Sequence, residues 1–242
     1  FANGGEVGGK IFVAGGQASA SSAASTQSAY LLDFSGGPSP DLRWKRLPLF
    51  PGAARSLAIS FGISEGPRPG FYVFGGRDQK PNALPELFRD GYRYDPALDS
   101  WSKLEDLPLP LMAGSAATLV EGKAVVLGGD TGEVFMQKEE LAAEIRKARQ
   151  AIEKSDGAKE KERLRALLAE EKNLLESHKG FSQAIFLYDS GEDSWTRAGE
   201  MPAWPPVTTT AVWWHGALVV PSGEIRPGVR SPAVWRAQFR DR

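Results

Sequence analysis

The 242-residue chain is 41% hydrophobic and 24% charged and carries a formal net charge of −1, so it offers no electrostatic case for nucleic acid or for an anionic membrane surface. It contains no cysteine, which excludes disulfides, thiol catalysis and thiolate metal sites. No apolar run approaches the roughly 20 residues that a membrane helix needs.

The chain opens on Phe1 rather than Met, which reads as a processed or truncated terminus. One phrase then recurs. GKIFVAGG ends at Gly16, GFYVFGG at Gly76 and GKAVVLGG at Gly129. GALVVPSG, ending at Gly223, is a weaker copy with Ser222 in place of the first glycine. Each is a β-branched or apolar run closed by small residues, the pattern of a buried strand entering a turn. A second phrase follows: YLLDF with Trp44, YRYDPALDSW ending at Trp101, and FLYDSGEDSW ending at Trp195. A Pro-containing stretch comes next, and then a small-residue strand: AARSLAISF, AGSAATLV or TTTAVWW.

The unit is therefore four strands in about 50 residues. Strand A is small and apolar, strand B ends in Gly-Gly, strand C ends in Tyr-Asp, and strand D carries the Trp. Paired glycines permit positive φ and close backbone approach. The Asp after strand C starts a tight turn. The Trp can fill the wedge between neighbouring units. These phrases resemble the kelch-repeat family across nearly the whole chain outside one insertion. The resemblance implies an all-β kelch β-propeller, a single domain over 1–242. Three full blades and a fourth that ends in its strand C, PAVWRAQF, can be counted. Kelch enzymes of this pattern often have six, so further blades are expected outside the chain.

Residues 137–178 interrupt the third blade between strands B and C. Leu141, Ile145, Ala148 and Ile152 keep helical spacing, as do Leu164, Leu167, Leu168, Leu174 and Leu175. Both stretches read as amphipathic helices, broken at Ser155–Gly157. The mixed charges read as a solvated face. The hairpin could be a lid over one end of the propeller or a coiled-coil partner site.

Loops alternate between the two ends of an antiparallel meander. The C–D turns and two A–B turns are short, whereas the B–C loops at 17–27, 77–90 and the helical insertion are long. Elaborated loops on a rigid scaffold carry function, so the B–C/D–A end is the expected binding end. Glu224 follows the strand B glycine of the fourth copy directly, and Arg226 and Arg230 share its loop. Arg55 opens strand A of the second blade at the same end. Arginine forks match carboxylates and a carboxyl group can move protons, so this set fits an anionic ligand. A surface salt bridge between Glu224 and either arginine fits the spacing equally well.

The segment SGEIRPGVRSPAVW resembles the motif of the N-acetylneuraminate mutarotases, also named sialic acid epimerases, which are kelch propellers. FPGAARS, ELFRDGYRYDP, LPLMAGSA and the helical insertion after GGDTGEVF agree in order. Ser115 departs from the His that relatives can carry, and Ser222 departs from Gly. The resemblance implies interconversion of the α and β anomers of a sialic acid. Glu224 would be the acid/base and Arg230 its catalytic partner, with Arg55 and Arg226 contacting the substrate. It also implies no metal, no cofactor and export to the periplasm. A non-enzymatic kelch interaction or carbohydrate-binding module is the alternative. A copper-oxidase propeller is rejected, because it needs a Cys–Tyr crosslink and histidine ligands. The chain has only His178 and His215, and His215 falls in a short A–B turn at the other end.

Overall fold

The computed structural model describes residues 1–19, 22, 24–80, 83–120, 122–154 and 157–238. The loop residues 20, 21, 23, 81 and 82, turn residue Glu121, break residues Ser155 and Asp156, and the end of the last expected strand at Phe239 lie outside the described residues. The first antiparallel sheet runs β1 (Asn3–Val7), β2 (Lys10–Ala14), β3 (Ala29–Asp33), β4 (Lys45–Arg46). The second contains β5 (Ile59–Ile63) and β6 (Gly70–Phe74). A small hairpin, β7 (Arg77–Asp78) with β8 (Glu86–Leu87), follows before the sheet resumes with β9 (Gly91–Asp95) and β10 (Ser100–Leu104).

The third sheet begins with β11 (Ser115–Thr118) and β12 (Lys123–Leu127). Helices α1 (Glu133–Lys154) and α2 (Ala158–Glu176) then leave it before β13 (Ala184–Asp189) and β14 (Ser194–Glu200) complete it. The fourth has β15 (Val212–Trp214), β16 (Ala217–Pro221) and, after the hairpin of β17 (Glu224–Arg226) and β18 (Val229–Arg230), β19 (Val234–Ala237). In the last three sheets the extra structure follows the second strand, the loop marked as elaborated in the second and third units but read as short in the fourth.

Alternation along the second strands explains why they are buried on both sides. Phe71 and Val73 of β6 join the core shared with the first sheet, whereas Tyr72 and Phe74 join the core shared with the third. In β12, Ala124 and Val126 face the second sheet, and Val125 and Leu127 face the fourth. The tryptophans close two of these wedges. Trp101 meets Phe50 edge-on at 5.2 Å, and its indole N–H donates to the Pro48 carbonyl (3.1 Å). Trp195 meets Phe74 edge-on at 4.9 Å. Trp44 differs. It stays 52% exposed, beside Val13 and Tyr30 on an outer surface.

The turn chemistry is local. Asp95 Oδ1 accepts from the Ala97 N–H (2.9 Å), and Asp189 Oδ1 from the Gly191 N–H (2.9 Å), the side-chain turn that favours Asp after a strand. The first strands are not uniformly small. Ile59, Phe61 and Ile63 of β5 are buried, whereas Ser60 and Gly62 line a channel of about 560 Å³ shared with β1 and β11. Smallness matters on that channel face. A Cβ at Gly62 would run into the Glu6 carbonyl of β1. Gly62→Ala is therefore expected to cost about 1–3 kcal/mol by forcing the strands apart. Thermal unfolding would read this as a melting temperature lower by several degrees, about 2–4 °C per kcal/mol at this size.

The helical insertion starts four residues before the expected boundary, at Glu133 rather than 137. The cause is Asp130, whose Oδ1 accepts the Gly132 N–H (2.8 Å) and turns the chain into the helix. Within the hairpin, Glu144 of α1 pairs with Arg163 of α2 (2.6 Å) and with Lys147 (2.7 Å).

Candidate functional site

The glycine pair that ends each second strand adopts positive φ. Gly75 is at +61° and Gly76 at +86°, and Ser222 takes the same left-handed backbone at +49° before Gly223 at +118°. A Cβ on Gly75 would run into the Leu111 carbonyl. The pair thus lets the segment leading into the next sheet pass close by, and Gly76 N–H donates to that same carbonyl (2.8 Å).

The residue directly after the pair then pairs with the segment leading into its own sheet. Arg77 bridges Ser56, Asp130 bridges Met112, and Glu224 bridges Val207. The three occupy one position of the repeat and line one cavity of about 340 Å³, within the range of small-molecule sites. Glu224 was legible in the sequence. Arg77 and Asp130 were missed, although superposing the repeats on their glycine pairs puts all three in one column.

A backbone relay forms part of the cavity wall. Leu57, Ala113 and Thr208 follow the three bridge partners and line the cavity with left-handed backbones, at φ of 55°, 57° and 54°. The Ala113 N–H donates to the Leu57 carbonyl (2.7 Å), and the Thr208 N–H to the Ala113 carbonyl (3.0 Å). A left-handed non-glycine residue costs about 1–3 kcal/mol and persists where surrounding structure enforces it, often at functional sites. Thr208 Oγ1 is also buried without a hydrogen-bond partner among the described residues. The base of the helical hairpin forms a further wall through Val134, Phe135 and Lys138 of α1 and Leu175 of α2.

Charge in the cavity is mixed. Burial pushes the Arg77 guanidinium down from its ordinary range, opposed by the charges of Glu139 and Asp130. Its Cζ lies 4.2 Å from the Phe135 ring centroid, and its Nε is buried without a hydrogen-bond partner among the described residues. Burial pushes the Asp130 carboxyl up and outweighs the lowering by the Gly132 N–H, His178 and Arg77, while the charge of Glu224 raises it further. His178 is held low by burial against the pull of Asp130, with Arg226 adding to the lowering. Its Nδ1 accepts the Gly180 N–H (3.0 Å), so the neutral ring carries its proton on Nε2. Glu224 Oε1 accepts the Gly228 N–H (2.7 Å), and its backbone exchanges two hydrogen bonds with Val207 (2.8 and 3.1 Å).

The expected arginines part company. Arg230 is the cross-strand partner of Glu224 in the β17–β18 hairpin. Such partners share one face of a ladder, but Arg230 is exposed and lies outside the residues lining the cavity. Arg226 also lies outside that lining, with its Cζ 5.4 Å from the Trp204 ring centroid and its Nε buried without a hydrogen-bond partner among the described residues.

Arg55, expected to contact substrate, requires a correction. It precedes β5 rather than opening it, is 0% exposed, and so has no surface to offer a ligand. Its Nη1 and Nη2 donate to the two Asp90 carboxylate oxygens (2.7 and 2.9 Å), and Nη1 also donates to the Gly75 carbonyl (3.0 Å). Its Cζ sits 4.7 Å from the Phe50 ring centroid and 4.5 Å from that of Phe88. The planar, weakly hydrated guanidinium suits such a stacked, bidentate site. Arg55 is a structural residue of the second sheet.

Comparison with known proteins agrees with this architecture. A family profile described as N-acetylneuraminate epimerase matches residues 2–242. The N-acetylneuraminate epimerase of Salmonella typhimurium is 26% identical over 198 residues, 81% of this chain and 47% of that protein. The protein of the same name from Shigella sonnei is 29% identical over 199 residues, 82% of this chain and 50% of that protein. The chain thus spans about half the length of the curated relatives it matches. A solved structure titled "Structure of YjhT" superposes with a TM-score of 0.72 at 23% identity, covering 98% of this chain and 62% of the other, a likeness of fold.

Proposed function

The chain belongs to the N-acetylneuraminate epimerase family, and from that membership we propose that its cavity interconverts the α and β anomers of N-acetylneuraminate by general acid–base chemistry. The four sheets are then successive kelch blades of one β-propeller, and the cavity is the mouth of its central channel at the end where the second-to-third-strand loops gather. Opening the sugar ring requires a proton to leave the anomeric hydroxyl, and Glu224 is the group that takes it, directly or through water. The observation that carries this reading is the placement of Glu224 in the cavity wall beside two other ionisable residues from the same position of the repeat.

A carboxylate-bearing sugar needs a cationic contact, since an unpaired buried charge is costly. Arg77 and Lys138 line the cavity itself. Arg230, on the face of the hairpin that Glu224 uses, fits a contact at the rim that stabilises negative charge as the ring opens. Arg226 supports the hairpin from the Trp204 side.

Exchange between the two anomers of N-acetylneuraminate, followed by magnetisation transfer in NMR, tests this reading. The full-length protein should raise the exchange rate above the spontaneous rate without added metal. Identical rates with and without protein would refute it.

A further inference from the structure

Ring opening needs two proton transfers, and the reading above assigns one. Resting on that reading, we propose that Asp130 is the second catalytic group, holding the proton that the sugar's ring oxygen takes as Glu224 removes the proton from the anomeric hydroxyl. The two carboxyl groups sit at equivalent positions of adjacent sheets. Asp130 follows the glycine pair of β12, and Glu224 follows the Ser-Gly pair of β16. Each is anchored by the same two-way backbone bridge. Asp130 bonds Met112 at 2.8 and 2.9 Å, and Glu224 bonds Val207 at 2.8 and 3.1 Å. Both line the cavity.

The neighbouring groups sort the roles. His178 has its Nδ1 occupied by the Gly180 N–H, and burial disfavours its charged form, which makes it a poor proton donor. Arg77 and Lys138 are cations suited to holding negative charge. Asp130 is half-buried at the root of α1, facing Arg77, His178 and the charge of Glu224, and the dominant influence of desolvation holds its carboxyl above the ordinary range. Two carboxyl groups on one cavity wall, held in different environments, are the arrangement that lets a site both give and take protons.

The cycle balances. In opening, the anomeric O–H proton passes to Glu224 and the bond between the anomeric carbon and the ring oxygen breaks. A ketone forms, and the ring oxygen takes the Asp130 proton. In closing on the other face, the new hydroxyl attacks the ketone carbon and returns its proton to Asp130. The former ketone oxygen takes the proton back from Glu224. Both groups end as they began.

The test compares wild-type full-length protein with Asp130→Asn, Asp130→Glu and Glu224→Gln by anomer-exchange NMR across pH, with sugar binding measured in parallel. Asp130→Asn should lower kcat about 100-fold with KM nearly unchanged, and should abolish the fall of rate on the alkaline side, since it no longer has a proton to lose. Asp130→Glu should recover part of kcat. In the wild type, the Asp130 carboxyl resonance should titrate above the ordinary value of about 3.9, a readout that does not depend on how the variant folds. Wild-type kcat and pH profile in Asp130→Asn, with Glu224→Gln inactive, would overturn the role of Asp130 alone. An Asp130 carboxyl titrating at or below the ordinary value would do the same. Absence of acceleration by the wild type would overturn the reading of the whole site.

Discussion

Replacing Glu224 with Gln is expected to slow anomer exchange by about 10³-fold, within the 10²–10⁴-fold that a positioned acid or base contributes. The substitution keeps the shape of the side chain. Its backbone stays pinned by two hydrogen bonds to Val207, and an amide oxygen can still accept the Gly228 N–H that Oε1 now accepts. Only the ability to take a proton is lost. The melting temperature and the affinity for N-acetylneuraminate should therefore remain close to wild type while the exchange rate collapses. A variant that exchanges anomers as fast as wild type would remove Glu224 from the chemistry.

Arg55→Met should cost about 3–5 kcal/mol of stability, the usual result of removing one partner from a buried ion pair. Three losses coincide. Asp90 keeps a partly buried carboxylate without its bidentate partner, the Gly75 carbonyl loses a donor, and the Phe50 and Phe88 rings lose the cation between them. Urea unfolding at neutral pH would measure the difference. Its pH dependence has a defined sign. Burial raises the Asp90 carboxyl, but the hydrogen bond and charge of Arg55 outweigh it and hold the group below its ordinary range. A carboxyl group with a lowered folded value stabilises fully above its unfolded value of about 3.9, and that contribution disappears as pH falls through the folded value. The gap between wild type and Arg55→Met should therefore be widest near neutrality and narrow in acid. A gap independent of pH would show that Arg55 acts through packing alone.

Much of the fold was legible because its signals are local. A strand that ends in Gly-Gly, an Asp that begins a turn and a Trp on the outer strand are each marked within a few residues of sequence, although the Trp and the glycines meet distant partners, and the marks recur often enough to count sheets. The helix boundary was less legible, because charge density marks the solvated body of α1, whereas Asp130 and Gly132 set its start. Glu224 stood out as an acid where the repeat needs none. Asp130 and Arg77 hold the same register but did not, since either taken alone reads as ordinary loop polarity. Arg55 misled for the opposite reason. It looked like an unexplained cation at the binding end, and its partner Asp90 lies 35 residues away, brought close only by the β6–β9 pairing. Arg226 and Arg230 lie within the β17–β18 hairpin, but the bulge at Glu224–Arg226 breaks the simple alternation from which sequence would aim them.

A crystal structure of the full-length protein with N-acetylneuraminate bound would test the account at its centre. The sugar should occupy the cavity between the second-to-third-strand loops and the base of the helical hairpin, with its anomeric carbon beside Glu224 and its ring oxygen beside Asp130. Sugar bound instead in the channel lined by Ser60, Gly62 and Thr118, or on an outer face of the sheets, would contradict it.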